Sequence, residues 1–250
     1  MSQFDSFRTG NFIFLDIGNT SVKGAHRAAG SWKPINTENV SNASQLVEWI
    51  REHEDAFDGI IVCSVRQDAT QAILMALEDL PSLVLSTDQI PRANLDYNTI
   101  DTLGMDRYLA CVAANTHSTR HKVVIDAGTA CTIDLMTDDG IYRGGVIAPG
   151  YGAFSDILPE KAPALPRVKP NIPKTWPGKT TIDALKWGIP GFYEGGIISV
   201  LRKYENEIGH FDLFITGGDG PLIHKMTSEK GIYRPFLVFE GMATFIDYRD

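Results

Sequence analysis

The chain has 250 residues, of which 43% are hydrophobic and 22% charged, with a formal net charge of −8. That is the composition of an ordinary globular protein, long enough for one large domain or two small lobes, and its acidic balance excludes a broad basic surface for nucleic acid or anionic lipid. Cys63, Cys111 and Cys131 are odd in number and widely spaced, which suits neither a zinc site nor a disulfide framework and points to a reducing cytoplasm.

Met1 to Gly10 is polar with one basic residue, so no signal peptide is expected, and no apolar run approaches the ~20 residues of a membrane span. Phe12 to Leu15 is an apolar run that ends in Asp16-Ile17-Gly18-Asn19-Thr20, and Val22 to Lys33 reads as a hairpin arm with Gly30 in its turn. Ser41 is placed to cap a helix from about Asn42 to Ala56, with Leu46, Val47 and Ile50 at helical spacing. Gly59 to Val65 reads as a buried strand. Asp68 then caps a helix carrying Ile73, Leu74, Leu77 and Leu80, and Leu83 to Leu85 is a short strand. A polar stretch, Ser86 to Thr102, leads into Gly104-Met105-Asp106-Arg107 and a helix to about Asn115.

The polar run Thr116 to Lys122 predicts a boundary between an N-terminal lobe, 1–118, and a C-terminal lobe, 119–250. His117 and His121 within it are expected to be solvated. The second lobe opens on Val123-Val124-Ile125-Asp126-Ala127-Gly128-Thr129, a near twin of the first motif. Gly140 turns the chain into a strand ending at Pro149-Gly150. Leu158 to Lys179, rich in Pro and Lys, reads as a long irregular loop. Thr180 or Thr181 caps a helix that Gly188-Ile189-Pro190-Gly191 should interrupt, with a longer one following to about Glu207. Leu213 to Thr216 is a strand meeting Gly217-Gly218-Asp219-Gly220, ahead of a helix near Pro221. Strands alternating with helices indicate an α/β architecture.

A strand that ends in Asp and then turns through Gly to a hydroxyl residue sets a carboxylate beside a close-approach turn. The N–H groups and hydroxyl of such a turn can grip phosphate oxygens. One such Asp-x-Gly is a common hairpin turn; two, each continuing into Thr, resemble the phosphate turns of the actin-like and hexokinase-like phosphotransferases. Gly217-Gly218 can let adenine and ribose lie on bare backbone, or serve as a plain strand-to-helix turn. Asp106 at a helix start has a structural role of its own, complementing the helix dipole.

The order D-I-G-N-T, G-M-D-R, D-A-G-T-A, G-G-V-I-A-P-G, T-I-D-A-L-K-W-G and T-G-G-D-G resembles type III pantothenate kinase, from about Phe12 to Ile246. The resemblance implies two similar lobes of the actin/hexokinase-like (ribonuclease H-like) fold with the active site in the cleft between them. It also implies ATP-dependent phosphorylation of pantothenate to 4′-phosphopantothenate, with an Asp general base and no covalent intermediate. On matching positions it implies that Asp16, Ile17, Gly18, Asn19, Thr20, Ser21, Val22 and Lys23 hold the ATP phosphates. Asp16 would act through Mg²⁺, with Thr129, Gly217 and Gly218 as further ATP contacts. Asp106 is then the base, and Tyr97, Gly104, Met105, Arg107 and Thr181 bind pantothenate, Arg107 pairing with its carboxylate and Thr181 reaching across a homodimer interface. Asp126 matches the ligand of a monovalent cation, K⁺ or NH₄⁺.

Met105 stands where smaller residues are usual, Cys131 where an aliphatic residue or proline is expected, and some ten residues precede the first motif. Two other readings share these features: another small-molecule kinase on the same fold, and a catalytically inactive, transcription-accessory relative. Asp16, Asp106 and Asp126 are all present, which favours the enzyme; no nucleic-acid or membrane partner is expected.

Overall fold

Two five-stranded sheets carry the chain, and they share one strand order. The computed structural model describes residues 4–35, 43–169 and 173–248. In the first sheet β1 (Phe12–Ile17), β2 (Val22–Ala28), β3 (Ser31–Pro34), β4 (Gly59–Ser64) and β5 (Ser82–Leu85) lie in the order β3-β2-β1-β4-β5. The second contains β6 (His121–Ala127), β7 (Ala130–Met136), β8 (Tyr142–Pro149), β9 (Phe211–Thr216) and β10 (Ile232–Tyr233), ordered β8-β7-β6-β9-β10. In each, the strand bearing the Asp-x-Gly motif is central, with a hairpin on one side and later strands on the other. The duplication of motif is therefore a duplication of fold.

Two compact units are formed, one by Met1–Thr119, Met136–Gly144 and Phe236–Asp250, the other by Arg120–Leu135 and Gly145–Pro235. In the first, β1 runs antiparallel to β2 and parallel to β4, in register from Phe12 opposite Gly59 to Ile17 opposite Ser64. β4 is buried on both faces, which is why Gly59 to Val62 reads as one apolar run. One sheet face, Ile13, Leu15, Ile17, Ile60 and Val62, packs on Leu46 and Ile50 of α1 (Ala43–Glu52) and on Ile73 of α2 (Gln67–Ala76). On another side Trp32 stacks near Phe236, 6.5 Å between ring centroids, at the start of α7 (Leu237–Asp247). α7 lies so close to α3 (Met105–His117) that a side chain at Gly241 would strike the Leu109 carbonyl.

The second unit packs Val123, Ile125, Cys131, Ile133, Leu213 and Ile215 of its sheet against three helices. These are α4 (Tyr151–Lys161), α5 (Thr181–Ile208) and α6 (Gly220–Met226). Leu185, Ile189, Tyr193 and Ile197 of α5 line one buried stripe, and the Tyr204 hydroxyl donates to the Ile133 carbonyl at 3.0 Å.

Several elements differ from expectation. Pro190 does not interrupt α5, which runs unbroken for 28 residues. Proline removes one hydrogen bond, but Ile189 and Pro190 are both buried, so packing on the sheet offsets the loss. Leu158 to Lys161 are helical, the last turn of an α4 that the Gly and Pro around it concealed. Asp68 is not the cap of α2: Arg66 is, and Asp68 sits in the first turn, paired with the Arg66 guanidinium.

The run Thr116 to Lys122 is not an irregular connector. α3 reaches His117, β6 starts at His121, and Lys122 is fully buried. His117 is not simply solvated, since its Nε2 lies 3.1 Å from a Glu240 carboxylate oxygen on α7. The Ser41 cap lies outside the described residues; α1 ends at Glu52 and a separate turn of 3₁₀ helix spans Glu54–Ala56. Among the described residues no helix is long and apolar enough to cross a membrane.

Candidate active site

Within the first unit, the β1–β2 hairpin turn is closed by Gly18, whose N–H donates to the Ser21 carbonyl at 2.9 Å. Asn19 and Thr20 are exposed at its tip. Asp16 and Lys23 face each other across the ladder, so a carboxylate and an ammonium leave the same rung beside the turn. Asp16 is half-buried and Lys23 exposed, which suits Lys23 to act as a mobile point charge. Arg66, which sequence reading passed over, donates from Nη1 to the Asn19 carbonyl at 3.4 Å while held by Asp68. It comes from 47 positions along the chain, and only the parallel pairing of β1 with β4 brings it there.

The N-terminus of α3 holds the next group. Gly104 is the cap residue, and the Asp106 Oδ1 accepts the Arg107 N–H at 2.9 Å. The carboxylate thus folds back over Gly104, where no side chain obstructs it, at the positive end of the helix. Asp106 is half-buried; Met105 and Arg107 are buried, Arg107 with 7% of its surface exposed. A cavity of about 540 Å³ lies beside this turn, at the C-terminal ends of β4 and β5, lined in part by Ser64, Thr70, Ser86, Thr102, Gly104 and Met105. Most of those side chains carry neutral hydroxyls. Tyr97 is half-buried against the start of β8, with its ring over Gly144.

The second unit builds its turn in the same way as the first. The Gly128 N–H donates to the Ala130 carbonyl at 2.9 Å, Asp126 is half-buried at the end of β6, and Thr129 is exposed. Two other segments converge on it. The Gly150 N–H donates to the Thr129 carbonyl at 2.9 Å, and the Asp219 N–H to the Ala127 carbonyl at 2.9 Å. Gly217 therefore sits directly alongside the second turn, against the Ala127 backbone, with Gly218 next in the chain. Thr180, not Thr181, caps α5, its side chain accepting from the Asp183 N–H at 3.1 Å. That commits the Thr180 hydroxyl and leaves Thr181 exposed in the first helical turn.

Asp219 is the residue here to which the sequence assigned no role. It is the cap residue of α6 but makes no side-chain capping bond, and burial holds its carboxyl above the usual value of 3.8. Cys131, where an aliphatic residue or proline is expected, is buried in the core of the second unit. Burial, reinforced by the carboxylates of Asp126, Asp219 and Asp134, pushes its thiol up to about 11, so it packs as a small apolar residue. Burial likewise raises the hydroxyl of Tyr193, which lies beside that thiol.

The sequence profile of the type III pantothenate kinases matches residues 12–203. The type III pantothenate kinase of Zymomonas mobilis subsp. mobilis is 30% identical over 255 residues, covering 95% of this chain and 92% of that protein. That of Acidiphilium cryptum is 31% identical over 248 residues, covering 92% of each. Among solved structures, a conserved Baf family transcriptional activator from Campylobacter jejuni aligns with a TM-score of 0.63 at 24% identity, over 94% of this chain and 96% of that one. MreB5 of Spiroplasma citri, bound to ADP, aligns with a TM-score of 0.52 at 12% identity, over 95% and 96%. At such identities the likeness establishes the fold alone, the actin/hexokinase-like fold.

Proposed function

The chain belongs to the type III pantothenate kinase family, and on that premise we propose that it transfers the γ-phosphoryl group of ATP to pantothenate, giving 4′-phosphopantothenate and ADP, the first step of coenzyme A synthesis. One observation carries the reading. The family match spans Asp16, Asp106 and Asp126 together, and each of the three stands at the end of a strand or the start of a helix beside a glycine turn.

In this reading the segment Asp16 to Lys23, with Thr129, takes the ATP phosphates, and Gly217 with Gly218 takes the adenosine. The donor chemistry fits the ions. Asp16 offers a hard oxygen ligand, one of the one or two carboxylates that a phosphate-bound Mg²⁺ ordinarily takes from protein, and Asp126 a half-buried carboxylate for a monovalent cation, K⁺ or NH₄⁺. When bound, such ions neutralise charge on the phosphates. Lys23 adds a positive charge beside the same turn.

Phosphoryl transfer needs positioning and charge neutralisation more than covalent help, so no nucleophilic side chain and no covalent intermediate are invoked. Asp106 orients the pantothenate hydroxyl and takes its proton late; the Arg107 N–H holds the carboxylate in place at the start of α3. The Arg107 guanidinium pairs with the substrate carboxylate as a two-pronged donor. Tyr97 and the cavity beside Gly104 and Met105 receive the rest of the molecule, and Thr181 supplies a hydroxyl from the partner protomer of a homodimer.

Functionally the chain divides into 1–118, bearing the first phosphate turn and the base, and 119–250, bearing the second turn and the adenosine segment. We place the enzyme in the cytoplasm. ADP release by the purified chain with ATP, Mg²⁺ and K⁺ tests the reading. It should depend on pantothenate and not respond to sugars or acetate; release equally stimulated by a sugar would replace pantothenate as the substrate.

A further inference from the structure

Tyr97 belongs to a polar stretch with little regular structure, yet four contacts hold it against the start of β8. The Asp96 N–H donates to the Tyr142 carbonyl at 2.9 Å, next to an isolated bridge between Leu95 and Tyr142. Arg143 Nη1 lies 2.6 Å from Asp96 Oδ2. Gly144, at φ +74°, presents bare backbone to the Tyr97 ring, where a Cβ would sit 2.9 Å from two of its carbons. The ring also packs on Tyr142, 5.8 Å between centroids, and Tyr142 in turn meets Tyr108 of α3 at 5.9 Å.

We infer that Arg143, Asp96 and Gly144 are positioning residues for Tyr97, and through it set the affinity of the site for pantothenate. This rests on the assignment of Tyr97 to the pantothenate pocket. An ion pair as exposed as this one, with 46% and 60% of its side chains accessible, ordinarily contributes little. Its place in the chain gives it leverage. Asp96 immediately precedes Tyr97 and Arg143 immediately precedes Gly144, so the pair clamps together the two backbones whose closeness defines the ring's seat. Tyr142 ties that seat to Tyr108, the neighbour of Arg107 in α3. One short segment of β8 thus supports both the aromatic wall and the helix that carries the base.

Steady-state kinetics on the full chain test this. Arg143→Gln and Asp96→Asn should each raise the KM for pantothenate about two- to fivefold, the range of a lost exposed ion pair, with kcat and the KM for ATP unchanged. Gly144→Ala should raise it further, and Arg143→Lys should recover most of the affinity. In a Tyr97→Ala background Arg143→Gln should cost nothing more; an equal cost there would overturn the inference, because the pair would then act without Tyr97. A second readout needs no substrate. In protein labelled with 3-fluorotyrosine, the resonance missing from Tyr97→Phe should shift in Arg143→Gln, and an unmoved resonance would also overturn the inference. A shifted resonance with Tyr97→Ala leaving the pantothenate KM unaltered would support the positioning and instead remove Tyr97 from the pocket.

Discussion

Gly217 rests against Ala127. At φ +88° its α-carbon faces the Ala127 backbone so closely that any Cβ would collide with the carbonyl, and the Asp219 N–H donates to that same carbonyl at 2.9 Å. The segment proposed for adenosine is thereby fixed to the turn proposed for phosphate.

Gly217→Ala should therefore damage both stability and nucleotide binding. A left-handed backbone at a residue with a Cβ costs ~1–2 kcal/mol and forced overpacking a further ~1–3 kcal/mol. Urea unfolding should show a loss of roughly 2–5 kcal/mol, and the KM for ATP should rise more than that for pantothenate. Unchanged stability would mean that the contact with Ala127 relaxes freely.

Asp219→Asn should act in the opposite sense on stability. Burial holds the Asp219 carboxyl above its usual 3.8, so the folded chain favours the protonated form and ionisation at higher pH weighs against folding. At pH 7 the variant should melt at a higher temperature than the wild type, and the difference should shrink as pH falls towards 4, where the wild type is itself becoming neutral. Thermal midpoints of both proteins between pH 4 and 7 check this; a lower midpoint for the variant at pH 7 would show that the carboxylate has a stabilising role.

Much of this arrangement was legible in the sequence because it is local. A strand ending in Asp, a glycine turn and a hydroxyl residue are consecutive, so β1 with its turn and β6 with its turn are both apparent from twenty residues or fewer. What was hidden depends on distant partners. Pro190 reads as a helix break until Ile189, Tyr193 and Ile197 are seen packed on the second sheet. α7 carries no motif, and it packs within the first unit against α3, Trp32 and Phe4. Lys122 reads as the last residue of a polar connector, whereas it lies fully buried in β6. Arg66 and Asp219 were missed for the same reason, since their nearness to the two turns follows from parallel strand pairing and not from spacing.

Arg107→Lys should weaken pantothenate binding and leave ATP binding nearly unchanged. Lysine keeps the charge but loses the planar fork. A charge-assisted hydrogen bond contributes ~1.5–3 kcal/mol, so the KM for pantothenate should rise on the order of ten- to a hundredfold. Converting the substrate carboxylate to an amide should cost the wild type a similar amount and the variant little more. Fully additive penalties would assign Arg107 to support of α3 instead.

Turnover should depend on K⁺ or NH₄⁺ and fall when Na⁺ is the sole monovalent cation. The half-buried Asp126 at the second turn is the group that such an ion would neutralise. Equal rates in KCl and NaCl at matched ionic strength would remove Asp126 from that role.

The most direct measurement follows 4′-phosphopantothenate by mass spectrometry alongside ADP, in wild-type protein and in Asp106→Asn. The two products should appear in equal amounts in the wild type. Asp106→Asn, nearly isosteric and unable to accept a proton, should fold, bind ATP and lose ~10²–10⁴-fold in rate. ADP formed without phosphopantothenate, or a variant that turns over normally, would contradict the account.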